Sequence, residues 1–344
     1  YIMKRIDKEY QALRESVALS ELNEVGVFKI SGEDHEEFVN SLVTVDLEFM
    51  DSERTVFTLI LDENANIVDV LTIYKQEDYM LIETSPFKRD TVLRHIENHL
   101  EGSIQLEDIS TSTAVLAFEG PYAWKVGQEL IDTDISSLPF QTFFETKWSD
   151  NHIIFARTGV TGEYGYKVIA FDASSAKFQL EDFILSLEFG DIRPLKIDME
   201  VVELAMLEVR QPNTKRDING LNVFEASLEW MVHFDKEEFL GKEMLLALKK
   251  KKVSRRLVGF HLTSDHQLST NGKIIVEGKL IGEVFQLIRN PVTNKYTGLA
   301  LLEDDFAVSG LELQLNFDGL DENLTIHTIS SPYIAPKSWA IKMI

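Results

Sequence analysis

Arg157-Thr158-Gly159-Val160-Thr161-Gly162-Glu163-Tyr164-Gly165-Tyr166 sets three glycines and one acidic residue between two strand-like runs. Ile153-Ile154-Phe155-Ala156 precedes the stretch and Tyr166-Lys167-Val168-Ile169-Ala170 follows it, and both have the β-branched and aromatic content of strands. The glycines let the backbone turn tightly and approach another group closely. Glu163 sits at the tip of the resulting hairpin. Two readings stay open from these residues alone: a binding loop that presents Glu163, or a glycine-rich hairpin whose acid is solvated.

Working outward, Lys8 to Val17 has helical apolar spacing, and Asp34-His35-Glu36-Glu37 suits a helix N-terminus after the Ser31-Gly32 turn. Thr55 to Leu61, Ile67 to Tyr74 and Tyr79 to Ile82 predict a three-stranded meander. Lys88 to Leu100, with Val92, Leu93, Ile96 and Leu100 at helical spacing, predicts a helix laid on it. Phe171 to Phe189 predicts another helix, and Pro194 begins one that runs from Leu195 to Arg210 and stops at Pro212-Asn213-Thr214. From Arg256 onward short strand-like runs indicate a small barrel or sandwich. The expected division is an α+β part over residues 1–250 and a β-domain over residues 254–344. Between them lies the run Lys249-Lys250-Lys251-Lys252 with Arg255-Arg256. It reads as a solvated helix end and linker, lysines being favoured at a helix C-terminus, with docking of an acidic partner as the other reading.

Composition removes several classes of function. The 344 residues hold 57 acidic against 34 basic side chains, a formal net charge of -23, so the average field repels phosphate backbones and anionic membrane surfaces. No nucleic acid or membrane partner is expected. There is no cysteine, which excludes disulfides, thiolate nucleophiles and cysteine-bound metal clusters. No apolar run approaches the roughly 18 to 20 residues that cross a bilayer, and the opening residues lack the apolar core of a secretion signal, so a cytoplasmic location is expected. His95 and His99 have the i, i+4 spacing of two metal ligands, yet Glu97 and Asn98 between them make no metalloprotease motif. A solvated helix is the favoured reading there, and no metal is expected.

The glycine loop resembles the R-T-G-[YF]-T-G-E-[DY]-G-[YF] signature of the aminomethyltransferase (glycine-cleavage T-protein) family of tetrahydrofolate-binding proteins. Further segments resemble the family in the same order. They are Phe28-Lys29-Ile30-Ser31-Gly32, Leu59-Ile60-Leu61-Asp62 with Ile67-Val68-Asp69, Ala117-Phe118-Glu119-Gly120-Pro121, Phe239-Leu240-Gly241-Lys242 and Thr297-Gly298-Leu299-Ala300-Leu301. The resemblance implies an α+β fold of two intertwined subdomains and a C-terminal β-barrel, arranged like three leaves around a central folate channel. It implies tetrahydrofolate or a derivative as cofactor and, as partners, a lipoyl carrier protein or a small methylated substrate. It also implies that Glu163 grips the amino-pyrimidine edge of the pterin; Arg157, Thr84 and Glu208 are expected among the folate contacts, with Arg210 compensating from a different angle.

Three departures from the family pattern bear on activity. The family's catalytic aspartate falls on Val70, leaving Asp69 beside it as the catalytic candidate, and strand alternation sends Asp69 to the opposite face unless a bulge shifts the register. Val202, Glu203 and Met206 stand where the family has Arg, Asp and Arg, with Arg210 as a substitute cation. Ile82-Glu83-Thr84-Ser85-Pro86 lacks the family's asparagine. The reading is a divergent folate-dependent aminomethyl or methyl transferase with ordinary T-protein turnover absent or very low. A tetrahydrofolate-dependent demethylase and a non-catalytic folate- or partner-binding paralogue remain the alternatives.

Overall fold

The computed structural model describes residues 2–344. The chain begins with helix α1 (Ile2–Glu15), strands β1 (Val17–Glu21) and β2 (Val27–Ser31) and helix α2 (His35–Leu42). The meander follows as β3 (Arg54–Leu61), β4 (Ile67–Lys75) and β5 (Tyr79–Glu83), then α3 (Arg89–Glu97), β6 (Gln105–Asp108), β7 (Ala114–Glu119) and α4 (Ala123–Leu130). Next come β8 (Thr142–Trp148), β9 (Asn151–Arg157), β10 (Gly165–Ala170), α5 (Ala173–Ser186), β11 (Pro194–Lys196), α6 (Met199–Glu208), the short α7 (Thr214–Asp217) and α8 (Lys242–Lys251). Six strands complete the chain: β12 (Arg255–Thr263), β13 (Gly272–Val276), β14 (Lys279–Arg289), β15 (Lys295–Glu303), β16 (Glu312–Phe317) and β17 (Leu324–Ile329).

The first eleven strands form one sheet in the order β11-β1-β7-β10-β9-β8-β3-β4-β5-β2-β6. Its two halves meet where Arg54 pairs with Thr142. The chain starts in one half with β1, builds the other from β2 to β6 and returns with β7, which is the physical content of intertwining. Helices cover the outer faces. Val39, Leu42, Val92 and Ile96 of α2 and α3 pack on Phe28, Ile30, Leu71 and Ile82, while Trp124, Val126 and Ile184 of α4 and α5 pack on Phe118, Phe155 and Tyr166. The inner face curls on itself, so that Val27, Leu81, Val115, Phe143 and Ile169 from both halves share a core.

Strands β12 to β17 close a six-stranded barrel, sealed where β12 pairs with both β15 and β17. Leu257, Leu299 and Leu301 of the barrel share a cluster with Leu59, Val70, Leu207 and Phe239, which fastens the barrel to the meander. One expectation is corrected: Pro194 does not begin a helix. It opens β11, which runs parallel to β1 with Val17 opposite Pro194. Proline lacks an N–H and is tolerated at the first residue of an edge strand, and β11 is the sheet's edge. The helix begins instead at Met199. Phe260 is fully buried at the centre of the barrel core. Phe260→Ala is expected to cost about 3–5 kcal/mol, read as a lower urea midpoint for loss of the barrel's signal.

Candidate functional site

The curl of the sheet brings two charged side chains from opposite halves into contact. Lys167 Nζ on β10 lies 2.7 Å from Glu83 Oε2 at the end of β5, and the Tyr74 hydroxyl donates to Glu83 Oε1 at 2.6 Å. Both members of the pair are buried, so desolvation opposes them and only close geometry with further hydrogen bonds offsets it. Above this floor opens a cavity of about 370 Å³. Its apolar sides come from Phe57 and Val70 of the meander and from Met199, Val202 and Met206 of α6. At its exposed edge Lys215 holds its ammonium 5.9 Å from the ring centre of Phe87.

The loop between β9 and β10 forms another wall. Thr158, Gly159 and Val160 line the cavity together with Glu119, the last residue of β7. Glu119 Oε1 accepts from the Val160 and Thr161 amides at 2.9 and 3.1 Å and from the Thr161 hydroxyl at 2.9 Å. Gly159 makes this approach possible, since a Cβ there would stand 2.4 Å from Glu119 Oε1. Burial raises the Glu119 carboxyl above the usual carboxylate range, against the Thr161 and Val160 hydrogen bonds and the nearby Lys167 charge. In the sequence Glu119 stands out only as one residue of the family-like segment Ala117-Phe118-Glu119-Gly120-Pro121, with no site role. The available signal was an acid closing the apolar run Ala114-Val115-Leu116-Ala117-Phe118.

Glu163 is placed differently from the expectation. It does not line the cavity: Arg14 Nη1 lies 2.7 Å from its Oε2, and the Ser338 amide and hydroxyl donate to its Oε1 at 3.0 and 2.6 Å. Arg14 also donates to the Thr161 carbonyl at 2.7 Å and, through Nη2, to Glu208 Oε1 at 3.0 Å. Glu208 in turn accepts from the Tyr10 hydroxyl at 2.8 Å and from Asn290 at 3.3 Å. Burial pushes the Tyr10 phenol up to about 12, with the Glu208 charge acting in the same direction. Glu163 and Glu208 are thus brought together, as two anions on one buried guanidinium.

The other expected residues disperse. Asp69 is fully buried behind the cavity wall, where it accepts from the Ser85 amide and the Thr214 hydroxyl, each at 2.8 Å. Burial raises its carboxyl, opposed by those same donors. The β3–β4 ladder shifts register between Ile60 and Leu61, yet the bulge leaves Val70 lining the cavity. Thr84 does line the cavity, with its hydroxyl accepting from the Gly26 amide and donating to the Ser85 carbonyl. Arg157 turns to the Leu138 carbonyl and the Tyr164 ring. Arg210, the substitute cation of the sequence reading, is not among the residues lining the cavity; it pairs with Asp217 at 3.0 Å and reaches the Ala226 carbonyl.

Removing Arg14 leaves Glu163 and Glu208 buried without their counter-charge. Arg14→Met is expected to destabilise the protein by about 3–5 kcal/mol, read by urea denaturation. A loss within ~0.5 kcal/mol, the level of an ordinary surface change, would show that the cluster carries no weight.

Residues 2–236 match the family model described as the GCVT N-terminal domain. The chain is 27% identical over 334 residues to an aminomethyltransferase of Thermotoga neapolitana, covering 95% of this chain and 89% of that protein. It is 29% identical over 314 residues to one of Alkaliphilus oremlandii, covering 89% and 84%. In fold it matches the aminomethyltransferase T of the glycine cleavage system of Bartonella henselae with a TM-score of 0.85 at 21% identity, over 96% of this chain and 90% of that one. The family model spans more than half of the chain, and the chain belongs to the aminomethyltransferase (GCVT) family.

Proposed function

We propose that the protein binds a reduced folate in the cavity above Glu83 and Lys167 and acts as a divergent folate-dependent one-carbon transferase. The observation that carries this reading is the make-up of the cavity. Apolar side chains flank it, one wall offers a buried carboxylate, and the Thr158 hydroxyl in that wall has no hydrogen-bond partner among the described residues. A slot of about 370 Å³ with apolar sides and a few convergent polar groups suits a planar heteroaromatic ring. Tetrahydrofolate, when bound, supplies the nitrogens that accept the one-carbon unit. The chain's own residues bind and orient. Phe57, Val202 and Met206 exclude water from the ring faces, and Lys215, which makes no ion pair among the described residues, is the cation at the edge for a carboxylate-bearing tail.

Ordinary glycine-cleavage turnover is very low in this reading. Val70 offers no proton-handling group to the cavity, and both oxygens of Asp69 are already hydrogen-bonded behind the wall. Methyl transfer from a small methylated compound is the second reading, favoured by the apolar Val202 and Met206 where the family pattern has cations.

Tetrahydrofolate is expected to raise the melting temperature progressively with concentration, as a ligand of the folded state does. No shift up to saturating ligand would contradict the proposal. With aminomethyl-loaded lipoyl carrier protein, methylene-tetrahydrofolate should form roughly 10²- to 10⁴-fold more slowly than with an ordinary family member. Comparable turnover would require a carboxylate to reach the cavity after all.

A further inference from the structure

Glu119, the buried carboxylate of the cavity wall, has one oxygen that the loop does not occupy. Its Oε1 is saturated by the Val160 and Thr161 amides and the Thr161 hydroxyl, whereas Oε2 accepts from no donor among the described residues. The residue is 6% exposed and lines the cavity, so the free oxygen belongs to a nearly buried carboxylate facing the ligand space. On the neighbouring strand Gly165 stands opposite Glu119 and Lys167 opposite Ala117. Two residues along a strand return to the same face, so Lys167 is the diagonal neighbour of Glu119 and points to the same side. Its ammonium is held by Glu83 through one of three N–H groups. The wall therefore presents an acceptor and a donor side by side.

We infer that Glu119 and Lys167 recognise the amino-lactam edge of a 2-amino-4-oxo heterocycle, Glu119 Oε2 accepting the ring's N–H groups and Lys167 donating to its carbonyl. The inference rests on the folate reading and assigns the ring contact to Glu119, in place of Glu163. Hydrogen bonds to an ionised group are the strong ones, and a buried carboxylate left half-satisfied gains most from a donor.

Glu119→Gln separates recognition from architecture. The loop donates two amides to Oε1, so the glutamine oxygen must take that side and its NH2 must face the cavity, where it opposes a ligand N–H. Calorimetric titration of wild type and E119Q with tetrahydrofolate and with tail-free tetrahydrobiopterin is the test. For E119Q the expected result is a loss of roughly 10- to 100-fold in affinity for both ligands. Wild-type binding of tetrahydrofolate with no loss in E119Q would overturn the inference while leaving the folate reading intact. No binding of either ligand to the wild type would overturn both. A second measurement needs no variant: the wild type should bind a 2-desamino-2-methyl analogue of tetrahydrofolate at least ~10-fold more weakly than tetrahydrofolate, and equal binding would overturn the inference even if E119Q failed to fold.

Discussion

The guanidinium of Arg14 is the constraint on which the site depends. It lies where the N-terminal helix, the glycine loop, helix α6 and the C-terminal segment converge, and it bonds Glu163, Glu208 and the Thr161 carbonyl together. Buried anions of this kind are tolerable only with a shared counter-charge and good geometry. Fixing Thr161 has a second effect, because the amide and hydroxyl of that residue hold Glu119 Oε1. The chain of contacts runs from a helix at the start of the sequence, through the loop, to a carboxylate in the cavity wall. Asn290 and Ser338 bring the barrel and the residues after it into the same cluster, so the parts of the protein are locked around one charge.

The loop's glycines thereby acquire a concrete role. Gly159 leaves the space that Glu119 Oε1 occupies, and Gly162, at a φ of 84°, turns the chain so that Glu163 points back toward Arg14. An acidic protein with net charge -23 can place a buried carboxylate at its ligand wall because Lys167 stands beside it. Local pairing, not the average field, decides the chemistry of a cavity. The apolar sides contributed by Val70, Val202 and Met206 then make the two polar groups the features by which a ligand would be oriented.

Much of the fold is legible in the sequence. The meander from Thr55 to Ile82, the helix around Val92 and Ile96 and the strands after Arg255 follow from periodicity and turn residues, which are local signals. Pro194 misleads because a proline before an apolar run looks like a helix start, and only the long-range pairing with Val17 reveals an edge strand. The site is less legible for the same reason. Where Glu163 points is set by Arg14 and Ser338, 149 and 175 residues away along the chain. The partners of Arg157 and Arg210 are hidden from the sequence in the same way, since the Leu138 carbonyl holds one guanidinium and Asp217 the other. Glu119 shows the converse. An acid ending a buried apolar strand is visible in the sequence, but its use depends on a loop that arrives about 40 residues later, which no local pattern reports.

A crystal structure of the protein with tetrahydrofolate bound tests the division of labour between the two carboxylates most directly. The predicted result is Glu119 Oε2 within roughly 2.7–3.2 Å of a ring nitrogen, with Glu163 still paired to Arg14. Glu163 released from Arg14 and bonded to the ring, with Glu119 making no ligand contact, would contradict it.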